Sequence, residues 1–340
     1  MGAFSFPSDM LRPDTMPAPA PSPAPHDPAT LYAPHGHPGE FFCPWQRFAT
    51  TPLDVLRWKL GGRKPYDRKT PPRVPMVEND GAYLKDRDQP SSVTWVGHCT
   101  FAVQDGGDVF VTDPHWGPRA LVPPRKSPPG IPLAAVPGDA FVVLSHNHYD
   151  HLDTWTIRRL PPDLPWFVPL GLGDWLRRRG VRQVTELDWW QSTRHGRWTL
   201  TCLPAQHWSN RISMGRNASL WASWLLDSGE RSWYFGGDSG YFHGFAEIGR
   251  RFSPEVALLP IGAYEPRWFM RYQHMDPGES LQAFRDLGAR WMAGMHWGTF
   301  DLTDEPVDLP PRVLDEIVQQ DGADPERVRA LAVGERWVIP

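Results

Sequence analysis

From Val93 onward the chain alternates short apolar runs with polar breaks. VTWVGH (93–98), TFAVQ (100–104) and VFVTDP (109–114) run apolar or alternate, which predicts strands, and Asp105-Gly106-Gly107 predicts the hairpin between two of them. FVVL (141–144) is apolar and β-branched, as a buried strand should be. Further strands are predicted at WFVP, VTELDWW, WTLTCLPA, SLWASWLLD, RSWYFGGDS, VALLP and RWMAGMH, with a short one at the end of the chain. Helices are predicted between them: TWTIRRL behind Asp153 or Thr154 as cap, GDWLRRRG, GFAEIGRRF, PGESLQAFRDL behind Asp276, and PRVLDEIVQQ. Runs of strands followed by strand–helix alternation, twice over, predict an α+β domain over 91–340 with two packed mixed sheets and helices outside.

The pattern before Val93 differs. Residues 1–40 are rich in Pro and Ala (PAPAPSPAPHDPA) and read as a disordered tail in which His26, His35 and His37 are solvated. Residues 41–90 read as an extension carrying one short amphipathic helix. Thr51 is its N-cap, Pro52 its first residue, and Gly61 with Gly62 its end. Leu53, Leu56 and Leu60 share a face that either docks on the domain or touches lipid.

Composition narrows the function. The 340 residues carry a net charge of −4 with both signs interspersed, so no basic footprint for nucleic acid exists. Three cysteines without a CxxC pair exclude a disulfide framework and a thiolate zinc site, and suit a reducing compartment. No run has the length of a membrane span and the start lacks a signal-peptide pattern, so a cytoplasmic protein is expected. The 18 tryptophans should fill core and pocket, each with one N–H to satisfy.

Candidate chemistry lies in SHNHYDHLD (145–153), a strand-to-helix loop holding His146, His148, Asp150 and His151. Three imidazoles and a carboxylate this close repel one another or lie unpaired unless a cation holds them. Three more candidates each end an apolar strand: His207 after TCLPAQ, Asp238 after YFGG and His296 after WMAGM. Five imidazoles and two carboxylates form one ligand set for two borderline metal ions, which zinc suits.

The order HxHxDH, His, Asp, His resembles the metallo-β-lactamase superfamily. TWVGHCTFAVQ, TDPHW, LSHNHYDHLD, QHWSNR, GDSGY, IGAYEPRWFMRYQHMDPGES and MHWGTF resemble one branch of it, the N-acyl-phosphatidylethanolamine-hydrolysing phospholipase D family, from about residue 45 to the end. The resemblance implies a four-layer αββα sandwich and two Zn2+ per chain. It puts His146, His148 and His207 on one ion and Asp150, His151 and His296 on the other, with Asp238 bridging. It implies phospholipase D-type hydrolysis of N-acyl-phosphatidylethanolamine to N-acylethanolamine and phosphatidic acid by a metal-bridging hydroxide, with Asp150, Asp238 and His274 catalytic. Tyr264 and His274 would contact substrate, Asp113 and His115 would support the ligands, and Glu265 would pair with Arg267. A phospholipid substrate, peripheral membrane contact and a homodimer follow as expectations. Ser209 stands where the family has cysteine. The alternatives are a hydrolase of a small soluble ester, lactone or phosphodiester, and a non-catalytic metal-dependent binding protein.

Overall fold

The structure, a computed structural model, describes residues 27–48, 50–61 and 71–340. Fourteen strands form its two main sheets: β1 Ser92–Gly97, β2 Thr100–Asp105, β3 Asp108–Thr112, β4 Phe141–Val143, β5 Pro165–Pro169, β6 Gln183–Leu187, β7 Ser192–His195, β8 Trp198–Leu203, β9 Ser223–Asp227, β10 Ser232–Phe235, β11 Val256–Pro260, β12 Trp291–Met295, β13 Val328–Arg329 and β14 Arg336–Val338. The first sheet has the order β14-β1-β2-β3-β4-β5-β6 and the second β13-β12-β11-β10-β9-β8-β7. Each is antiparallel in one half and parallel in the other, with β3 to β6 parallel in the first and β10 to β13 in the second.

Side-chain alternation decides which residues meet between the sheets. Trp95, Phe101, Val103, Phe110, Phe141 and Val143 face inward and join Trp198, Leu200, Trp224 and Trp233 in one core. Their neighbours Val96, Ala102, Val111 and Val142 face outward into a second cluster. That cluster is covered by α2 (Thr154–Ile157) and α3 (Gly173–Arg177) through Ile157 and Leu176. On the other sheet α4 (Gly244–Phe252), α6 (Pro277–Asp286) and α7 (Pro310–Gln320) bury Phe245, Ile248, Leu281 and Leu314, with the short α5 (Arg267–Met270) lying between α4 and α6 in the chain. The result is the αββα sandwich. Several buried indoles are satisfied, Trp224 Nε1 donating to Leu144 O (2.8 Å) and Trp233 Nε1 to Asp105 Oδ2 (2.9 Å), whereas Trp291 and Trp297 Nε1 find no partner among the described residues.

Caps fall where the sequence puts them. Asp153, rather than Thr154, caps α2 by accepting from the N–H groups of Trp155 and Thr156. Asp276 and Glu279 form a capping box on α6. The strand β7 was not predicted, because STRH carries no apolar residue and is held to β8 by the backbone ladder and a Ser192–Thr201 hydroxyl contact (2.9 Å).

The N-terminal expectations need correction. The tail reading of residues 1–26 lies outside the described residues, as does Gly62. Residues 27–40, however, are packed: Leu31 is 1 % exposed and its carbonyl accepts from Trp190 Nε1 (2.8 Å). His35 is not solvated but stacks on Trp189 and reaches Asp188 Oδ1 at 2.7 Å. Two apolar anchors in a proline-rich run suffice to dock it. The helix α1 (Pro52–Leu60) has its capping box between Thr51 and Asp54. Trp58 ties it down, stacking near Phe269 and donating Nε1–H to Asp304 Oδ2 (3.1 Å). Its leucine face is not docked on the domain: Leu53, Leu56 and Leu60 stand 71, 51 and 75 % exposed.

Candidate metal centre

Four loops converge at the carboxyl ends of the strands. The histidine loop follows β4 and is anchored by backbone bonds from Leu144 to Phe167 and from Ala222 to Ser145. His207 follows β8, on a segment bridged to the Asp238 loop by Gln206 and Gly240. Asp238 follows β10 through Gly236-Gly237. At Gly237, with φ +56°, a Cβ would come within 2.6 Å of Ser145 Cβ, so only glycine lets these two loops touch. His296 follows β12 with φ +64°, a strained backbone held by its N–H on His98 O (3.1 Å).

The side chains form two donor sets that share one oxygen. In the first, His148 Nδ1 lies 2.8 Å from His146 Nε2 and 3.2 Å from His207 Nε2. Asp238 Oδ2 lies 3.8 and 3.7 Å from those two Nε2 atoms. In the second, the same Asp238 Oδ2 lies 3.1 Å from His151 Nε2 and 3.2 Å from His296 Nε2. Asp150 Oδ2 lies 3.4 and 3.6 Å from that pair. Donors on one tetrahedral ion with bonds of about 2.1 Å sit about 3.4 Å apart, so both sets have the spacing of an ion's ligands.

Neighbouring groups fix which nitrogen carries hydrogen. Ser145 donates Oγ–H to Asp113 Oδ2 (2.6 Å), so its oxygen accepts from His146 Nδ1 (2.9 Å) and leaves His146 Nε2 with a lone pair. His207 Nδ1 donates to Gln273 O (3.0 Å), which leaves its Nε2 bare as well. His151 Nδ1 donates to Asp113 Oδ2 (2.6 Å). His151 Nε2, His296 Nε2 and Asp238 Oδ1 are buried with no hydrogen-bond partner among the described residues. Lone pairs aimed at one point, with orphaned atoms around it, are what a bound cation satisfies.

Electrostatics agree. Burial pushes His148 down to about 4 and His207 to about 3, so both imidazoles are neutral and ready to donate. Burial would also depress His296, but Asp238 and Asp150 outweigh it and lift it to about 9. The same carboxylates hold His151 well above its ordinary value against burial. Two buried carboxylates thus draw protons onto neighbouring imidazoles, a positive charge that divalent ions replace.

The other expected residues divide. His274 reaches the cluster: its Nδ1 lies 4.0 Å from Asp238 Oδ2, and its ring lies 5.3 Å from His207 and 5.1 Å from His296. Tyr264 is buried, with its backbone N–H on Glu305 Oε1 (3.1 Å). Asp113 supports the candidate ligands directly, as described. His115 does not: its ring lies against Phe300, and its Nδ1 is 3.8 Å from Asp153 Oδ2 rather than on a ligand. The Glu265–Arg267 ion pair is replaced. The Arg267 guanidinium turns to Glu279 (2.6 Å) and Asp276 (3.5 Å), because the α6 capping box brings two carboxylates together. Glu265 instead accepts the Arg267 backbone N–H. Ser209 is buried and donates to Ser219 O (2.7 Å), bracing the wall.

Two features were missed. His98, directly after β1, places Nε2 2.9 Å from Asp150 Oδ2. The strand-end rule that located His207 applies equally to it. The second is an aromatic wall: Trp208 lies edge-on to His148 (4.6 Å) and stacks on Phe48 (5.2 Å), which also meets Tyr272 (5.0 Å). Phe48 is far from the motifs in sequence, and nothing local marks it.

With this geometry in place, comparison with known proteins decides the family. A beta-lactamase superfamily domain matches residues 109–297. The chain is 38% identical over 277 residues to N-acyl-phosphatidylethanolamine-hydrolyzing phospholipase D 1 of Caenorhabditis elegans, covering 76% of this chain and 78% of that one. The chain belongs to this family. The mitochondrial N-acyl-phosphatidylethanolamine-hydrolyzing phospholipase D of Saccharomyces cerevisiae is 34% identical over 72% of this chain and 54% of its own. Among solved structures, a possible metal-dependent hydrolase from Veillonella parvula (TM-score 0.61, 16% identity, 74% and 100% coverage) shares the fold. So does a metallo hydrolase from Ignicoccus hospitalis (0.57, 23%, 73% and 98%). The protein is therefore a hydrolase of the metallo-β-lactamase fold whose buried His/Asp cluster fits a metal cofactor. No helix among the described residues is long and apolar enough to cross a membrane.

Proposed function

We propose that the protein is a dinuclear zinc phosphodiesterase that cleaves N-acyl-phosphatidylethanolamine to N-acylethanolamine and phosphatidic acid. One observation carries the dinuclear reading: Asp238 Oδ2 lies within 3.1–3.8 Å of four imidazole nitrogens drawn from two donor sets. His146, His148 and His207 would hold one ion, Asp150, His151 and His296 the other, and Asp238 both. Such ions, when bound, activate a water and neutralise charge on a phosphate. Nitrogen and oxygen donors without thiolate favour zinc; Cys99 lies nearby, but burial keeps its thiol protonated.

The chain's own groups do the rest. His274 is 12 % exposed on the cleft side of the cluster and its Nδ1 has no hydrogen-bond partner among the described residues. Burial holds it well below the ordinary imidazole value, so it stays neutral. It is placed to hydrogen-bond the ethanolamine oxygen as the P–O bond breaks and the water adds to phosphorus, the departing oxygen taking its proton from solvent. Asp150, 14 % exposed, would orient the attacking water. Its Oδ2 already serves the second donor set and His98 Nε2, and against burial its neighbours hold it well below the ordinary carboxylate range, so the water's proton leaves to solvent. The aromatic wall of Phe48, Trp208 and Tyr272 offers apolar area beside the reacting phosphate. The outer rim suits a lipid surface: Leu53, Leu56 and Leu60 of α1 are exposed, and Trp268 is 53 % exposed with Arg57 over it (5.0 Å). With a net charge of −4, adhesion must come from this apolar face rather than from attraction to anionic lipid. Tyr264, buried two residues past Gly262, would line the cleft rather than react. The three free buried cysteines suit a cytoplasmic enzyme resting on a membrane face.

The test is hydrolysis by zinc-loaded protein. N-acyl-phosphatidylethanolamine in mixed micelles is compared with a soluble phosphodiester and a lactone, beside Asp238→Asn. Lipid cleavage lost in the variant supports the reading. Turnover of only the soluble substrates would sink the lipid assignment and keep the zinc site.

A further inference from the structure

We infer that His98 is a positioning residue that fixes Asp150 and thereby sets the affinity of one of the two ion positions. The inference rests on the dinuclear reading above. His98 follows Gly97, the last residue of β1, and the glycine and His98 adopt left-handed backbone, φ +132° and φ +54°. A Cβ at Gly97 would meet Arg125 Nη2 at 2.8 Å and Thr299 Oγ1 at 3.0 Å, so the turn tolerates glycine alone. The strained His98 backbone is held on both sides. Its N–H donates to Thr299 Oγ1 (2.7 Å), and its carbonyl accepts from Trp95 Nε1 (2.9 Å) and from the His296 N–H (3.1 Å).

The side chain has no freedom either. It is 1 % exposed, its ring lies 4.0 Å from that of His296, and it meets His151 and Phe300 edge-on at 5.1 and 5.2 Å. Its Nε2 is 2.9 Å from Asp150 Oδ2. An ionised carboxylate only accepts, so the hydrogen sits on His98 Nε2, and that nitrogen has no lone pair for an ion. Its other nitrogen is buried without a partner. Through Nε2, then, His98 holds no ion: it aims a ligand.

The contact is selective. His98 touches Asp150, His151 and His296, all of one donor set. In the other set His146 takes its orientation from Ser145 and His207 from Gln273. Removing the His98 donor should leave the three-imidazole position as it was and loosen only the carboxylate-bearing one.

Metal-free protein titrated with Co2+, and with Zn2+ against a chelator, tests this. Wild type takes up two equivalents with two visible-absorption signatures. His98→Phe keeps the first at native affinity and binds the second about 10–100-fold more weakly. His98→Gln, which retains an N–H donor, recovers most of that loss, a rescue that a purely packing role would not give. Native affinity for both ions in His98→Phe overturns the inference, as does equal weakening of both in His98→Gln. Fewer than two equivalents in wild type overturns the dinuclear reading itself, and the inference with it.

Discussion

Asp238, His151 and His207 are 3 % exposed or less and lie in a web of contacts that leaves each imidazole one orientation, whereas the leucines of α1 project 51–75 % into solvent. The floor of the cleft is overdetermined. Asp113 alone accepts from His151 Nδ1, Ser145 Oγ–H and Ser145 N–H, all within 2.6–2.7 Å. The rim is held by few contacts, chiefly Trp58 on Phe269 and Asp304 and Phe48 on Trp208. The difference separates two jobs. A floor built for charge must hold donors to a fraction of an ångström, because misplacement forfeits the interaction. A rim that meets fluid lipid needs only exposed apolar area, whose contribution does not depend on direction.

Breaking the floor should cost most, whatever the substrate. Asp238→Asn removes the charge common to both donor sets. Hydrolysis of lipid and soluble phosphodiester should both fall by about 10³-fold, with fewer than two metal ions per chain by elemental analysis. Equal activity with two ions retained would show that the shared oxygen is incidental. Asp113→Asn comes next. It keeps the shape but weakens the bond that orients His151, so metal affinity should drop about 10–100-fold with the fold intact by circular dichroism.

The rim should respond to the form of the substrate. Leu53→Ser, Leu56→Ser and Leu60→Ser together remove apolar area already in water, so melting temperature should hardly change. Cleavage of N-acyl-phosphatidylethanolamine in vesicles should fall about tenfold, as partial insertion of three leucines is lost, while a soluble phosphodiester is cleaved as before. A fall on both substrates would mean that α1 supports the floor through Trp58 rather than the membrane. The comparison would then collapse.

The same contrast explains what the sequence reveals. Donors at the ends of apolar strands are legible because a local pattern, strand then His or Asp, coincides with the place where a sheet aims side chains. His98 follows the same pattern after VTWVG, so its absence from the candidates reflects a missing cluster signal rather than missing information. The partners of Arg267 are not legible that way: Glu265 is nearer in sequence, yet the α6 cap gathers Asp276 and Glu279 at the guanidinium. Nor is the docking of residues 27–40. Leu31 and His35 find Trp190 and Asp188 across more than 150 positions, and a Pro/Ala-rich composition hides them. The strand β7 reads as loop because it borrows its stability from β8.

His115 tests where the floor ends, and its effect on turnover should be the smallest. It lies beneath the loop of residues 117–127: its carbonyl accepts from Arg125 Nη1 (2.9 Å), Asp153 and Arg125 are the charges beside its ring, and Asp150 and His151 act from farther off. Both ring nitrogens are buried without hydrogen bonds among the described residues. Burial, against the pull of Asp153, depresses its pKa from 6.5 to about 4. The folded state therefore binds fewer protons than the unfolded state between those values, so stability falls as pH drops through 6.5 and the loss is complete near 4. At 1.36 kcal/mol per unit the full penalty is about 3 kcal/mol. His115→Gln cannot titrate and should flatten that part of the melting-temperature profile of the metal-free protein. At neutral pH it should leave metal affinity and hydrolysis close to wild type, since the ring touches no ligand. If the variant instead lost metal as Asp113→Asn does, His115 would belong to the floor, and the boundary between charge-holding and shape-holding residues would move outward to Phe300.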